Sequence, residues 1–146
     1  MIKELTVRDE ILINASPSRV WEILVLPKYV AQWDELPENY PPQEMQQGSN
    51  VIWELPNGEQ SVTTIIKADK PQELIISLNV TTWENTLNEG DVAYRYQLIE
   101  QEDGTLLTIE IGDFSLLRDG QMYYDASIEF AEKSKSIIKD LAERQK

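Results

Sequence analysis

Asp9, Glu54, Glu84 and Arg95 are the side chains of this sequence that could carry proton transfer or charge stabilisation, because each stands in or beside a strand-like or aromatic run. A carboxylate drawn out of water by such neighbours has a raised pKa and can serve as general base or acid, for instance in an aldol-type cyclisation. Alternation weighs against that use. Arg95 alternates with Tyr94 and Tyr96 and so is expected to face solvent, and Glu54 alternates in the same way with Trp53. Asp9 interrupts the apolar series Leu5, Val7, Ile11, Ile13 and marks either a bulge or the exposed end of a strand. The chain contains no His and no Cys, which removes the commonest metal ligand and acid–base group, any thiol nucleophile and any disulfide. No Asp/Glu spacing matches a calcium loop and no glycine-rich phosphate loop is present. No catalytic residue, metal ligand or cofactor is therefore assigned.

The elements that must position these groups begin with Ile11 to Trp21, where the hydrophobic period changes. Ile11 and Ile13 alternate as on a strand, whereas Val20, Trp21, Ile23 and Leu24 recur at helical spacing. Between them, Ser16 can cap a helix and Pro17 fits its first position, where a missing N–H costs nothing. Pro27 to Trp33 predicts a second short helix, followed by the proline-rich Asp34 to Gln43, expected to form a surface flap. Strand-like runs follow: Val51 to Leu55, Ser61 to Ala68, Leu74 to Val80, Val92 to Leu98 and Leu107 to Ile111. Asn57-Gly58 is a strong hairpin signal between the first two, and the series reads as an antiparallel meander. On the second run Val62, Thr64 and Ile66 share one face, with Ser61, Thr63 and Ile65 on the other.

From about Asp119 the pattern is helical to the C-terminus, about 26 residues or ~39 Å. Tyr123, Ala126, Phe130, Ile137 and Leu141 fall in one apolar stripe, with Lys133 between Ala126 and Ile137 and flanked by Ser127 and Ser134. Leu or Ile is expected at such positions of a core helix, so the middle of this helix is expected to face an incompletely filled space.

With 146 residues the chain is expected to form a single domain over 1–146, built on one core. Thirteen Lys and Arg against 26 Asp and Glu leave a formal charge of −13, which repels phosphate backbones and anionic head groups. Nucleic acid is thereby disfavoured as a partner. No window approaches the ~20 apolar residues of a membrane span and the N-terminus lacks a secretion signal, so no membrane insertion and a cytoplasmic location are expected.

The order of these motifs resembles the START-like or SRPBCC superfamily, whose helix-grip fold is shared with pollen allergens and polyketide cyclases. The branch it is most similar to is the activator of heat-shock-protein ATPase homologue family, in its single-domain bacterial form. The likeness is carried by Ala15-Ser16-Pro17 with Val20-Trp21, Pro27 with Trp33, Gly48, Pro71-Gln72-Glu73-Leu74, Gly104-Thr105 and the long terminal helix. Tyr123 and Tyr124 stand where many relatives place a Trp, and co-chaperone activity is not implied. What the resemblance implies is an α+β fold: a curved antiparallel sheet of six or seven strands wrapped on the C-terminal helix, with two short helices after the first strand. It also implies an internal cavity for an apolar or amphipathic small molecule, between sheet and terminal helix.

The expected lining of that cavity is Trp33, Trp53, Trp83, Tyr94, Tyr96, Phe114, Met122, Tyr123 and Phe130, with Ile66, Leu78 and Ile109 as aliphatic wall. Two placements stand open for Lys133. Either its stem covers apolar surface while the ammonium reaches water or a carboxylate, or it enters the lumen and meets an acidic head group. Reversible binding is the expected activity. A polyketide cyclase-like enzyme acting on an apolar substrate, or a protein-interaction module without a ligand, are the alternatives; no protein partner can be named.

Overall fold

The computed structural model describes residues 4–37, 40–54, 58–80 and 90–144. Strand β1 (Val7–Ile13) leads through a tight junction into α1 (Pro17–Val25), and α2 (Pro27–Trp33) follows after Leu26 alone. The junction forms for the reasons legible in its residues: the Ser16 hydroxyl accepts from the Arg19 N–H at 3.2 Å, and Pro17 occupies the first turn. Strands β2 (Asn50–Glu54), β3 (Gln60–Asp69), β4 (Glu73–Val80), β5 (Ala93–Gln101) and β6 (Gly104–Gly112) come next. A short 3-10 turn, Phe114–Leu116, then leads into α3 (Gly120–Arg144).

The strands form one six-stranded antiparallel sheet in the order β1-β6-β5-β4-β3-β2. β1 therefore closes against the last strand, and β1 and β2 are the edges. Apolar residues at alternate positions make one face of this curved sheet the inner one. Across it run rows such as Ile65, Ile76, Tyr94, Ile111 and Val7, each paired with the next through the register. The Asn57 turn expected between β2 and β3 lies outside the described residues, but Glu54 opposite Gln60 shows the two strands paired as expected. No helix among the described residues is long and apolar enough to cross a membrane.

The C-terminal helix has the expected length but a different phase. Its buried residues are Gly120, Ser127, Ala131, Ser134, Ile138, Leu141 and Ala142. From Ser127 to Leu141 these recur at alternating intervals of four and three, as on any single packed face. Ala126, Phe130 and Ile137 of the stripe expected from the large residues each stand one position before a buried residue, whereas Leu141 is buried as expected. Ala126 is exposed, Phe130 is half-buried and Ile137 is 36% exposed. The reason is the close approach of α3 to the sheet and to α1: Ser127, Ala131 and Ser134 have little side chain, so the helix axis comes near and large residues are pushed to its flanks. Gly120 packs as closely on the 3-10 turn before the helix, where a Cβ would stand 2.0 Å from the Phe114 carbonyl oxygen. Lys133 follows from the phase. It is an exposed side chain paired with Glu129 at 3.3 Å, and it does not enter the interior.

Asp9 is neither at a bulge nor at a strand end. Pairing of β1 with β6 runs unbroken from Val7 opposite Ile111 to Ile13 opposite Thr105, and Asp9 faces inward opposite Ile109. What makes an inward carboxylate tolerable is Lys135 of α3, whose ammonium donates to Asp9 Oδ1 at 2.7 Å. Arg95 and Glu54 are exposed, as alternation predicts. Glu84 lies outside the described residues.

Candidate functional site

A cavity of about 160 Å³ lies between the inner face of β2 to β5 and a wall made by α2, the segment after it and Met45. Five expected lining residues meet there: Trp33, Trp53, Leu78, Tyr94 and Tyr96. The sheet register explains their convergence. Thr63 pairs with both Val51 and Leu78, Ser61 pairs with Trp53, and Ile76 pairs with Tyr94, so their inward side chains form adjoining rows. No residue of α3 lines the space. The cavity is thus walled by the second helix, not by the terminal one, because Phe130 fills the gap that α3 was expected to leave. Its ring packs against Trp33 (centroids 6.5 Å apart) and edge-on against Tyr94 (5.9 Å).

Several other expected lining residues stand elsewhere. Phe114 and Tyr123 stack on one another at 5.9 Å and join the start of α3 to the core. Met122 is 60% exposed, on the outer side of the first turn of α3. Ile109 is buried in the core row beside Asp9. Ile66 stands on the face of β3 opposite Ser61, Thr63 and Ile65, at the register shift between Ile65 and Lys67, and is half-buried away from the wall. Trp83 lies outside the described residues.

Trp33 is the hinge of the site. Its indole N–H donates to the Ile23 carbonyl at 2.8 Å inside the protein, which fixes the ring, and the ring stands edge-on to Tyr96 at 5.9 Å. Tyr96 is 1% exposed. Neither its hydroxyl nor that of Tyr94 has a hydrogen-bond partner among the described residues, and no polar side-chain atom there is sealed from solvent without one. Both hydroxyls therefore open onto the cavity. Burial, reinforced by the nearby Asp34 charge, pushes the Tyr94 hydroxyl up to about 12 and that of Tyr96 well above its ordinary value. At neutral pH both are protonated and able to donate.

Asp34 is the residue that reading the sequence for chemistry missed. It ends α2 as an exposed residue at the mouth of the cavity, and the Glu35 N–H donates to its Oδ1 at 2.8 Å. Desolvation raises its pKa against the opposing effect of that hydrogen bond. No local signal marks it, since consecutive side chains at a helix end point about 100° apart, and only the packing of α2 against the sheet brings this carboxylate to the cavity mouth. Ser61 and Thr63 were readable as one face of β3, but only the pairing register shows that this face is the inner one. The lining thus joins aromatic and aliphatic walls to two carboxylates, two phenols and three small hydroxyls, with no Lys or Arg among the described residues.

Comparison with solved structures gives the same fold over nearly the whole chain. Protein MLL2253 from Mesorhizobium loti is 16% identical and superposes with a TM-score of 0.72, covering 97% of this chain and 98% of that one. Protein Ms6760 from Mycobacterium smegmatis is 20% identical, with a TM-score of 0.69 and coverage of 100% and 96%. The Aha1 dimer from Colwellia psychrerythraea is 13% identical, with a TM-score of 0.67 and coverage of 97% and 98%. No curated protein matches the sequence. The family model described as Activator of Hsp90 ATPase homolog 1-like protein matches residues 14–144, from the turn before the Ser16 cap to the last turn of α3. By that match, which takes in every residue of the cavity wall, the chain belongs to the family of Activator of Hsp90 ATPase homolog 1-like proteins.

Proposed function

We propose that this protein binds an apolar or amphipathic small molecule, with residues 1–146 acting as one ligand-binding domain in the cytoplasm. The observation that carries the reading is the Tyr96 hydroxyl: it is held inside the fold at 1% exposure, finds no partner in the described protein, and opens onto a 160 Å³ space. Buried polar groups are ordinarily paired, so a polar group left free at a cavity is suited to a ligand or to water. A space of that size takes about one aromatic ring. A larger ligand extends past Trp53, Asp34 and Glu35, which are exposed at the rim.

Two measurements test the reading. Mass spectrometry of denatured protein purified from its host should release a small molecule in stoichiometric amount. Titration with an apolar ring compound should change the fluorescence of Trp33 and Trp53, and Tyr96→Trp, which fills the space, should suppress that change. Absence of both signals defeats the proposal. A second reading, turnover of the ligand by a cyclase-like proton transfer, is favoured by the raised pKa of Asp34 beside two protonated phenols. It requires that the released molecule be consumed on re-addition to the protein and persist with Asp34→Asn.

A further inference from the structure

We propose that the cavity selects ligands whose polar end is a protonated amine, placed between the Asp34 carboxylate and the hydroxyls of Tyr94 and Tyr96, with the apolar body against Trp33 and Leu78. This rests on the small-molecule reading above and adds the chemistry of the head group. Among the described residues, Asp34 and Glu35 are the only charged side chains lining the space, and neither forms an ion pair there. Asp34 accepts one hydrogen bond, from Glu35 N to Oδ1, which leaves Oδ2 without a protein donor among the described residues. Asp34 is close enough to both phenols for its charge to hold their protons more tightly.

Three ligand ends can be compared at such a site. A carboxylate meets Asp34 with no lysine or arginine among the described lining residues to offset the repulsion, and this disfavours it. A hydroxyl or carbonyl satisfies the phenols but leaves the Asp34 charge uncompensated as the ligand displaces water from the mouth. An ammonium donates to the Asp34 carboxylate and to the phenol oxygens together, and it offsets the Asp34 charge as the ligand displaces water from it. The aromatic walls favour it further, since ring faces attract cations. The net charge of −13 acts at longer range in the same direction.

The test uses three ligands with one body: benzylamine, benzyl alcohol and benzoate, titrated into the intact protein near neutral pH by calorimetry and tryptophan fluorescence. Benzylamine is expected to bind about tenfold or more tightly than benzyl alcohol, and benzoate more weakly than either. With Asp34→Asn, which keeps the acceptor for Glu35 N, the ratio of amine to alcohol affinity should fall to within about twofold of one. The comparison on the unaltered protein stands even if the variant fails to fold. Equal binding of amine and alcohol, tighter binding of benzoate, or an amine preference that survives Asp34→Asn overturns the head-group assignment and leaves the cavity reading in place. Failure of all three ligands to bind overturns both.

Discussion

Lys135 and Asp9 form an ion pair of 2.7 Å that ties the middle of α3 to the inner face of β1 across 126 positions of sequence. Both side chains are about a quarter exposed, at 22% and 24%, so the pair is neither a loose surface contact nor a sealed one. Removing one partner leaves the other facing an apolar row. Asp9→Ala and Lys135→Met should each lower stability in urea by about 1–2 kcal/mol. The double replacement Asp9→Val with Lys135→Met should recover most of that loss, since the strand then continues its apolar alternation. Additive losses in the double variant would show that the two groups are not coupled.

Trp33 holds the site's wall by one hydrogen bond and one edge-on ring contact, and the two can be separated. Trp33→Phe keeps an aromatic ring against Tyr96 but leaves the Ile23 carbonyl unpaired, which should cost about 1–3 kcal/mol in equilibrium unfolding. Trp33→Ala also removes the ring and should cost about 3–5 kcal/mol. Equal losses in the two variants would mean that the ring contact contributes nothing beyond the hydrogen bond.

Local signals carried most of the fold. The Ser16-Pro17 cap, the helix from Pro27 to Trp33, the strand series and the length of α3 are where the sequence places them, because caps, prolines and hydrophobic period act over a few residues. Two errors came from matters that no local signal decides. Large apolar side chains dominate a hydrophobic projection, yet Ser127, Ala131 and Ser134 make the buried face of α3, since small residues are chosen by the distance between helix and sheet. That single shift of phase took Lys133 out of the interior and moved the cavity wall from α3 to α2. The inward side of β3 is likewise decided by pairing: Ile66 is expected in the wall, whereas the register with β2 and β4 brings the opposite face, Ser61, Thr63 and Ile65, to the lining. Asp34 was passed over because it opens a segment read as a surface flap, although the helix end that carries it points at the cavity.

Asp113 gives the fold a dependence on acid. Burial alone would raise its pKa, but Oδ1 accepts from the Leu5 and Ser115 N–H groups, each at 2.9 Å, and these hydrogen bonds bring it below the ordinary carboxylate value. A carboxyl whose pKa is lower folded than unfolded stabilises the fold above its unfolded pKa of about 4, and that contribution is lost as the pH falls through the folded value. Asp113→Ala should therefore lower stability by about 1–2 kcal/mol at neutral pH. The gap between variant and wild type should close as the pH falls below about 4. A gap that stays constant from pH 7 to pH 2.5 would assign the effect to lost packing instead.

The phase of α3 is open to a direct comparison of neighbouring positions. Ala131 is wholly buried where the helix lies closest to its neighbours, so Ala131→Leu forces three extra carbons into a filled space and should destabilise by about 1–3 kcal/mol. Lys133, two positions on, is exposed and paired with Glu129 on its own helix. Lys133→Met should change stability by less than about 0.5 kcal/mol. It should also leave benzylamine, benzyl alcohol and benzoate binding as in the wild type, because its ammonium is remote from the cavity wall. A helix rotated by one residue would reverse the order, with Ala131→Leu tolerated and Lys133→Met altering the preference between charged and neutral ligands. Thermal unfolding of the two variants beside the wild type, with one benzoate titration of Lys133→Met, separates the two phases.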